Sequence, residues 1–213
     1  MLDILGSIPK YEFYVACSGG TDSMVLVDFL MKNPKNKFEL LHFNHGTEHC
    51  DEAERFVVEF AKKNNLVVHV GRINRERGKG ESQEEYWRNC RYAFLSRFSS
   101  KPILMAHHLN DVIETWIMSA MRGKPMVIPY HNPKYNIYRP FLVVSKSQLE
   151  EWTKFHNVKS VYDGSNSDTK LMRNYIRHNM VKHAYHVNPG IEKTLTKVVK
   201  EEFAKSTDFK TLH

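Results

Sequence analysis

The chain has 213 residues, 41% of them hydrophobic and 26% charged, which suits one α/β domain with a small helical appendage and excludes two large domains. It contains no apolar stretch near ~18 residues, and Met1–Gly6 lacks the basic and apolar regions of a signal peptide, so we expect a cytoplasmic protein without a membrane segment. The whole net charge of +7 comes from residues 120–213, which carry 16 Lys and Arg against 8 Asp and Glu and predict a polyanionic partner such as tRNA.

The first motif lies between an apolar run, Tyr11–Cys17, and a helical pattern, Met24–Met31. Its two glycines allow positive φ and a close approach of the backbone to a ligand, and its hydroxyls offer short donors. The following helix adds the positive end of its dipole, so the turn is suited to phosphate. We therefore predict an ATP-binding loop formed by Ser18, Gly19, Gly20, Thr21, Asp22 and Ser23.

The pattern SGGxDS resembles the pyrophosphate loop of N-type ATP pyrophosphatases, which split ATP between its α and β phosphates. No lysine follows the glycines, so a loop of the GxxxxGK[ST] type is excluded. Asp22 is suited either to capping the helix or to holding Mg²⁺ transiently. The alternative is a plain serine-glycine turn between a strand and a helix.

Alternating strands and helices continue along the chain and predict a doubly wound parallel sheet, in which ligands bind at the carboxyl ends of the strands. Ser82–Glu85 has the spacing of a capping box. Residues 123–138 predict a loop or short hairpin, and we place a boundary between an ATP-binding unit, 1–122, and a basic helical extension, 123–213. Further strands are predicted at Lys37–Phe43, Leu66–Val70 and Lys101–Ala106, and helices at Asp51–Asn64, Ser82–Phe98, Asn110–Met121, Lys146–Asn157, Thr169–Tyr185 and Pro189–Lys205.

A second group of polar residues, His107–Thr115, lies where the fourth strand passes into its helix. Asp111 and Glu114 are three residues apart, so their carboxylates share one helix face, and a substrate amine or a metal ion would relieve their repulsion. A metal triad of His108, Asp111 and Glu114 is one option. The structural alternative is that Asp111 caps the helix while Glu114 pairs with Arg122.

Several motifs occur in the order and spacing typical of tRNA(Ile)-lysidine synthases, and the chain resembles that family from about Tyr11 to Asn179. The family implies an adenine nucleotide α-hydrolase-like fold. It also implies a reaction in which ATP adenylates the C2 carbonyl oxygen of the wobble cytidine of an isoleucine tRNA with a CAU anticodon, after which the amine of lysine attacks C2 and displaces AMP. The motifs are His42–Gly46, Arg91-Tyr92 with Phe94-Leu95, His107–Thr115, Arg122-Gly123, Arg139-Pro140, Asp163–Asp168, Arg173-Asn174 and Arg177.

The resemblance also implies roles for individual residues. Asp22 would hold Mg²⁺, His45 would contribute to the ATP site, and Asp111 and Glu114 would bind the ammonium of free lysine, assisted by His107 or His108. Contacts with tRNA would come from Arg91, Arg122, Arg139, Arg173, Asn174 and Arg177. The basic helices would extend the phosphate track through Lys182, His183, Lys193 and Lys197.

The chain departs from the family in two respects. It ends at His213, so we expect a short form without the further C-terminal domains of many members, and Lys124–Pro129 replaces their glycine-rich sequence. A cytidine thiolase of the same superfamily and a catalytically idle tRNA-binding protein remain alternatives, although three scattered cysteines, Cys17, Cys50 and Cys90, do not supply an iron–sulfur site. For the basic residues 120–213, the alternative to a nucleic-acid interface is an ordinary solvated surface rich in lysine. The oligomeric state stays open, with a homodimer as one option.

Overall fold

The computed structural model describes residues 2–161 and 171–206 and contains a six-stranded sheet in the order β3-β2-β1-β4-β6-β5. All neighbouring strands are parallel except the pair of β5 and β6, which is antiparallel. The predicted doubly wound parallel sheet is thereby confirmed. The strands are β1 Phe13–Ala16, β2 Phe38–Asn44, β3 Val68–Arg72, β4 Ile103–Leu104, β5 His131–Asn132 and β6 Ile137–Tyr138.

The described helices connect or follow these strands. A π-helical segment, Ile176–Met180, lies between α6 and α7, and the three pieces follow one another without a break. The predicted helix Thr169–Tyr185 is therefore present in its described part, but its hydrogen bonding changes in the middle. The helices are α1 Thr21–Met31, α2 Glu48–Lys63, α3 Gln83–Ser96, α4 Leu109–Met121, α5 Lys146–His156, α6 Met172–Tyr175, α7 Val181–Val187 and α8 Ile191–Lys205.

The main core lies between the sheet and α1, which is apolar on most of its surface. Val25, Leu26 and Leu30 of α1 are fully buried against strand residues such as Val15 and Leu40. On the outer side of α1, the indole nitrogen of Trp152 on α5 donates a hydrogen bond to Asp28 at 2.8 Å. Burial of this apolar surface fixes the amino end of α1, and with it the loop that precedes the helix, relative to the strand ends.

The short hairpin, one of the two options for residues 123–138, is confirmed by the antiparallel pair of β5 and β6. In addition, β6 pairs in parallel with β4, so the sheet extends past residue 122. The expected capping box needs correction. At Ser82 only one half of the expected capping box is recorded, the hydrogen bond from the amide of Glu85 to the Ser82 hydroxyl at 3.2 Å. The block Asp163–Asp168 and the start of the helix predicted from Thr169 lie outside the described residues.

Candidate functional site

The predicted phosphate loop, Ser18–Ser23, lies at the carboxyl end of β1 and is folded around one hydroxyl group. Ser23 Oγ donates to the carbonyl of Gly20 at 2.9 Å and accepts from the amide of Ser18 at 3.2 Å. Gly19 has φ +87°, and a Cβ placed on it would lie 3.2 Å from Val57 Cγ2. The residue types of the motif are therefore needed for the shape of the loop as well as for a ligand.

The amino end of α1 is open toward this loop. Its N-cap is Gly20, and no side chain caps its first turn among the residues that the structure describes. Unpartnered amides at the positive end of a helix dipole form a favourable site for phosphate oxygens. The segment after α5 supports the loop from outside, through a hydrogen bond from the Val161 amide to the Gly19 carbonyl at 2.9 Å and a contact of 3.1 Å between the hydroxyls of Thr21 and Ser160.

Asp22, in the first turn of α1, is held by two cationic partners. Lys146 Nζ lies 2.6 Å from Asp22 Oδ1, and His108 Nε2 lies 3.5 Å from Asp22 Oδ2. Burial alone would raise the pKa of Asp22, but His108 and Lys146 outweigh it and hold the pKa at about 2. The side chain is thus an ionised carboxylate at the edge of a phosphate site, which is the ligand that Mg²⁺ prefers.

The second group of residues lies at the amino end of α4, beside the loop. His108 is the N-cap residue, its ring Nδ1 accepts from the amide of Asn110 at 3.3 Å, and Asp111 Oδ2 accepts from the amide of His108 at 2.9 Å. The predicted capping role of Asp111 is therefore confirmed. Since Nδ1 is an acceptor, the proton of a neutral His108 lies on Nε2, where it faces Asp22. Burial opposes protonation of His108, but Asp111 and Asp22 together raise its pKa.

Glu114 is almost fully buried, with 3% of its side chain exposed, and binds Arg177 rather than Arg122. The guanidinium of Arg177 donates from Nε to Oε1 at 2.6 Å and from Nη2 to Oε2 at 3.1 Å. It also lies 3.8 Å from Asp111 Oδ1, and Arg173 Nε lies 3.8 Å from Glu114 Oε2. The cation expected between the two carboxylates is therefore supplied by the chain itself. Burial raises the pKa of Glu114, while Arg177 opposes the shift.

Arg122, expected to pair with Glu114 or to contact tRNA, is exposed at the carboxyl end of α4. There the amide of Gly123 donates to Ala120 and that of Lys124 donates to Ser119, and Gly123 has φ +80°. These two bonds and the positive φ form a Schellman motif, which ends the helix. The Arg122-Gly123 motif thus has a local structural role, far from the position that pairing with Glu114 requires.

The remaining predicted residues around His107 are mostly buried. Arg139, 4% exposed, donates from Nε to His107 Nδ1 at 3.3 Å and from Nη1 to the carbonyl of Pro129 at 2.8 Å. Burial and the nearby guanidinium groups lower the pKa of His107 to about 3, so the ring is neutral. Arg139 and Asn174, which is 7% exposed, are buried, and their contacts with tRNA stay a prediction. Arg91 Nε is buried and has no hydrogen-bond partner among the described residues.

These elements enclose one cavity of about 510 Å³ at the carboxyl ends of the central strands. The phosphate loop forms one wall, α4 and the π-helical segment form another, and apolar residues of β1, β2 and α3 form the floor. The cavity confirms that the two predicted groups of residues, 18–23 and 107–111, share one site. Its polar and charged lining includes Ser18, Thr21, Asp22, Ser23, His42, His45, His49, Arg91, His107, Asp111, Lys146 and Arg177.

Sequence reasoning gave no individual role to three polar residues of this cavity, His42, His49 and Lys146. His42, 2% exposed, faces the cavity from β2, with Nδ1 2.9 Å from the carbonyl of Cys17. Lys146 is the first residue of α5 and reaches Asp22 across 124 positions of sequence. A capping box at Ser145 and Gln148 predicts where α5 begins, but no local pattern predicts that its first lysine faces the loop.

Within residues 2–161 and 171–206 no group of three or more His, Cys, Asp or Glu side chains is arranged to hold a metal ion. The predicted triad of His108, Asp111 and Glu114 is therefore excluded as a permanent metal site. Glu114 accepts a hydrogen bond from Arg177, and Asp111 accepts one from the amide of His108. This arrangement is consistent with transient Mg²⁺ held by one carboxylate and by phosphate oxygens. No helix in the described part of the chain is long and apolar enough to cross a membrane.

A model of the PP-loop domain family matches residues 1–184. The tRNA(Ile)-lysidine synthase of Thermotoga maritima is 34% identical over 198 residues, which is 87% of this chain and 48% of the relative. The synthase of Persephonella marina is 33% identical, with 85% and 43% covered, and that of Francisella tularensis subsp. novicida is 30% identical, with 91% and 52% covered. The chain therefore spans about half the length of the curated relatives it matches.

Solved structures share the fold at low sequence identity. A U34-tRNA thiolase from Methanococcus maripaludis superposes with a TM-score of 0.72 at 14% identity, covering 92% of this chain and 73% of that one. An NH3-dependent NAD synthetase from Campylobacter jejuni gives a TM-score of 0.50 at 11% identity, with 97% and 89% covered. These likenesses confirm the predicted adenine nucleotide α-hydrolase-like fold and show no more than the fold.

Proposed function

Because the chain belongs to the PP-loop domain family, we propose that it ligates lysine to C2 of the wobble cytidine of an isoleucine tRNA with a CAU anticodon. The reaction consumes ATP, passes through an adenylated tRNA and releases pyrophosphate and AMP. It takes place in the cytoplasm, where tRNA is available. The observation that carries the proposal is that one cavity joins the phosphate loop, including Asp22, to Asp111 of α4.

The phosphate loop is the ATP-binding part of this site. The open amino end of α1 and the hydroxyls of Ser18 and Thr21 offer donors to phosphate oxygens. Bound Mg²⁺ would neutralise charge on the phosphates as pyrophosphate leaves, and Asp22 is the residue that would hold it. His45, at the carboxyl end of β2, lines the same cavity and extends the nucleotide site.

The acidic residues of α4 are suited to binding the amine of lysine, which reacts after ATP. The ammonium of lysine must lose a proton before its nitrogen attacks C2. The ring of His107 is neutral and accepts a hydrogen bond from Arg139 at Nδ1. The ring of His108 accepts a hydrogen bond from the Asn110 amide at Nδ1 and faces Asp22 with Nε2, so both rings are poorly placed to act as bases. Glu114, whose pKa burial raises, is the better acceptor, and Asp111 attracts the ammonium.

Contacts with tRNA are proposed for the exposed basic side chains of the helical region. Lys182 and His183 on α7 and Lys193 and Lys197 on α8 are exposed. The three lysines provide positive charge for the phosphate backbone without the burial that restricts Arg139. Arg173 and Arg177 are each about one third exposed, and Arg177 lines the cavity, where it would meet the nucleotide that leaves the stack.

The rival functions are a thiolase and an idle tRNA-binding protein. The three cysteines lie on different elements: Cys17 in the loop after β1, Cys50 on α2 and Cys90 on α3. They do not form a metal-binding group within the described ranges. A thiolase that needs a cysteine-bound cluster is therefore disfavoured. The ordered charges at Asp22, Asp111 and Glu114 disfavour an idle protein, because binding alone does not require buried ionised carboxylates.

The deciding experiment is transfer of radiolabelled lysine to isoleucine tRNA with a CAU anticodon, in the presence of ATP and Mg²⁺. Incorporation of lysine, with one AMP and one pyrophosphate released per event, supports the proposal. An isoleucine tRNA in which the wobble cytidine is replaced by uridine serves as control and should take up no label. Normal ATP binding without any lysine transfer would refute the synthase function.

A further inference from the structure

Lys146 is a charged residue of the cavity to which neither the family motifs nor the loop pattern assigns a role. Its Nζ lies 2.6 Å from Asp22 Oδ1, it lines the same cavity as Ser18 and Thr21, and 37% of its side chain is exposed. The side chain therefore reaches the loop from a separate helix and remains accessible to a ligand.

The backbone of Lys146 is held in place from two sides. Ser145 and Gln148 form a capping box around the first turn of α5, and the amide of Lys146 donates to Asn110 Oδ1 at 2.9 Å. Because Asn110 is on α4, the base of the lysine is tied to the same helix that carries Asp111. A side chain anchored in this way has a limited range of positions, all of them near the phosphate loop.

The phosphate loop itself contains no cationic side chain. In loops of the GxxxxGK[ST] type, a lysine from the loop reaches the β and γ phosphates. Here backbone amides, and Mg²⁺ that Asp22 would hold, would have to balance the charge of a triphosphate, and a cationic side chain next to the loop adds a charge-assisted hydrogen bond to them. Lys146 is such a side chain.

We infer that Lys146 is the cationic ligand of the β and γ phosphates of ATP and of the pyrophosphate that leaves. In the protein without nucleotide, Lys146 pairs with Asp22. With nucleotide bound, Lys146 would turn from Asp22 to a phosphate oxygen, and Asp22 would then be free to hold Mg²⁺. This inference rests on the proposed use of ATP.

Isothermal titration calorimetry of Lys146→Met with MgATP, inorganic pyrophosphate and AMP tests the inference. We expect affinity for MgATP and pyrophosphate to fall by about 10- to 100-fold, the range for a lost charge-assisted hydrogen bond, and affinity for AMP to change by less than about 2-fold. Lys146→Arg should restore most of the loss. Lys154→Met, an exposed lysine of the same helix, should bind all three ligands like the wild type.

Asp22→Asn separates ligand binding from a merely structural ion pair. If Lys146 only partners Asp22, adding Lys146→Met to Asp22→Asn will not weaken pyrophosphate binding further, and the inference is wrong. An equal loss of AMP and ATP affinity in Lys146→Met would also overturn it, because that result indicates general disruption. Failure of the wild type to bind ATP would refute the proposed function as a whole, whereas ATP binding without lysine transfer would refute only the synthase reaction.

Discussion

Replacing Arg177 should destabilise the protein more than replacing Glu114, its partner in a buried ion pair. Glu114 is 3% exposed, whereas 36% of the Arg177 side chain is exposed. In Arg177→Met the carboxylate stays buried and keeps only Arg173 at 3.8 Å. In Glu114→Gln the guanidinium can still turn toward solvent or toward Asp111, 3.8 Å away. Arg177→Met should therefore destabilise the protein more.

The magnitude follows from the degree of burial. Removing one partner of a fully buried pair costs about 3–5 kcal/mol, and the exposure of Arg177 together with the remaining Arg173 reduces this to about 2–3 kcal/mol. Glu114→Gln should cost about 1 kcal/mol, since the amide oxygen still accepts one hydrogen bond. For a chain of this length, the larger loss lowers the melting temperature by about 4–12 °C.

The cost of Arg177→Met also depends on pH. Burial already raises the pKa of Glu114 above its ordinary value of 4.5, and without Arg177 the folded-state pKa rises further. A carboxyl group with a raised folded-state pKa favours folding below the unfolded pKa, and this contribution is lost as the pH rises through the folded pKa. The variant should thus lose more stability at about pH 8 than at about pH 5.

Urea unfolding of Arg177→Met and Glu114→Gln at both pH values measures these differences. Lys205→Met, which removes an exposed partner of Glu202, is the matched control and should leave the unfolding midpoint unchanged. Equal losses for Arg177→Met and Glu114→Gln, or a loss for Arg177→Met that does not grow with pH, would show that the buried carboxylate does not control stability at this position.

Gly19→Ala should lower the free energy of unfolding by about 1–3 kcal/mol, because φ is +87° and the new Cβ lies 3.2 Å from a neighbouring atom. Gly46→Ala, at φ +76° with nothing within 4 Å of the new Cβ, should lower it less. Thermal melting compares the two variants, and equal losses of stability would contradict a steric effect at Gly19. Asp22→Ala should abolish pyrophosphate release in the presence of ATP and tRNA. The loss should be equal at about pH 6 and pH 9, because the pKa of the Asp22 carboxyl is about 2 and the wild-type side chain is ionised at both. Normal pyrophosphate release by the variant would exclude a role of Asp22 in holding Mg²⁺. Asp111→Asn, which can still cap α4, should retain pyrophosphate release but lose lysine transfer, and unchanged transfer in a labelled-lysine assay would argue against an ammonium site. Lys193→Ala should weaken tRNA binding and reduce the dependence of the logarithm of the affinity on the logarithm of the salt concentration by about 1. Filter binding at several salt concentrations measures this slope, and an unchanged slope would show that the side chain does not contact phosphate.

The sheet and the helices from α1 to α5 could be predicted because their signals are local. Apolar runs mark the strands, and a capping residue marks the start of α3 and of α5. The hairpin was harder, because β5 and β6 have two residues each and β6 is stabilised by its pairing with β4 rather than by its own sequence. Such a strand depends on the neighbouring strand and has no periodicity to detect.

The site was predictable wherever parallel strands bring residues to one edge. The loop after β1 and the start of α4 after β4 are adjacent because β1 and β4 are neighbours in the sheet. The partners that neutralise their charges come from helices beyond residue 145, and Lys146 and Arg177 each meet a carboxylate more than sixty residues away in sequence. Pairing over such distances is decided by packing, which spacing along the chain does not reveal.

For the proposed reaction, the arrangement of charges on α4 favours ligand binding in which one cation replaces another. Asp111 and Glu114 are close like charges that require a cation beside them, and Arg177 provides it in the protein without ligand. If Arg177 turns to a phosphate of tRNA, another cation has to replace it, and the ammonium of lysine has the required charge. The carboxylates would therefore accept lysine most readily once RNA has drawn the guanidinium away. A ligand order in which the nucleic acid precedes the amine then follows from the need to keep both carboxylates paired, since an unpaired buried charge is costly.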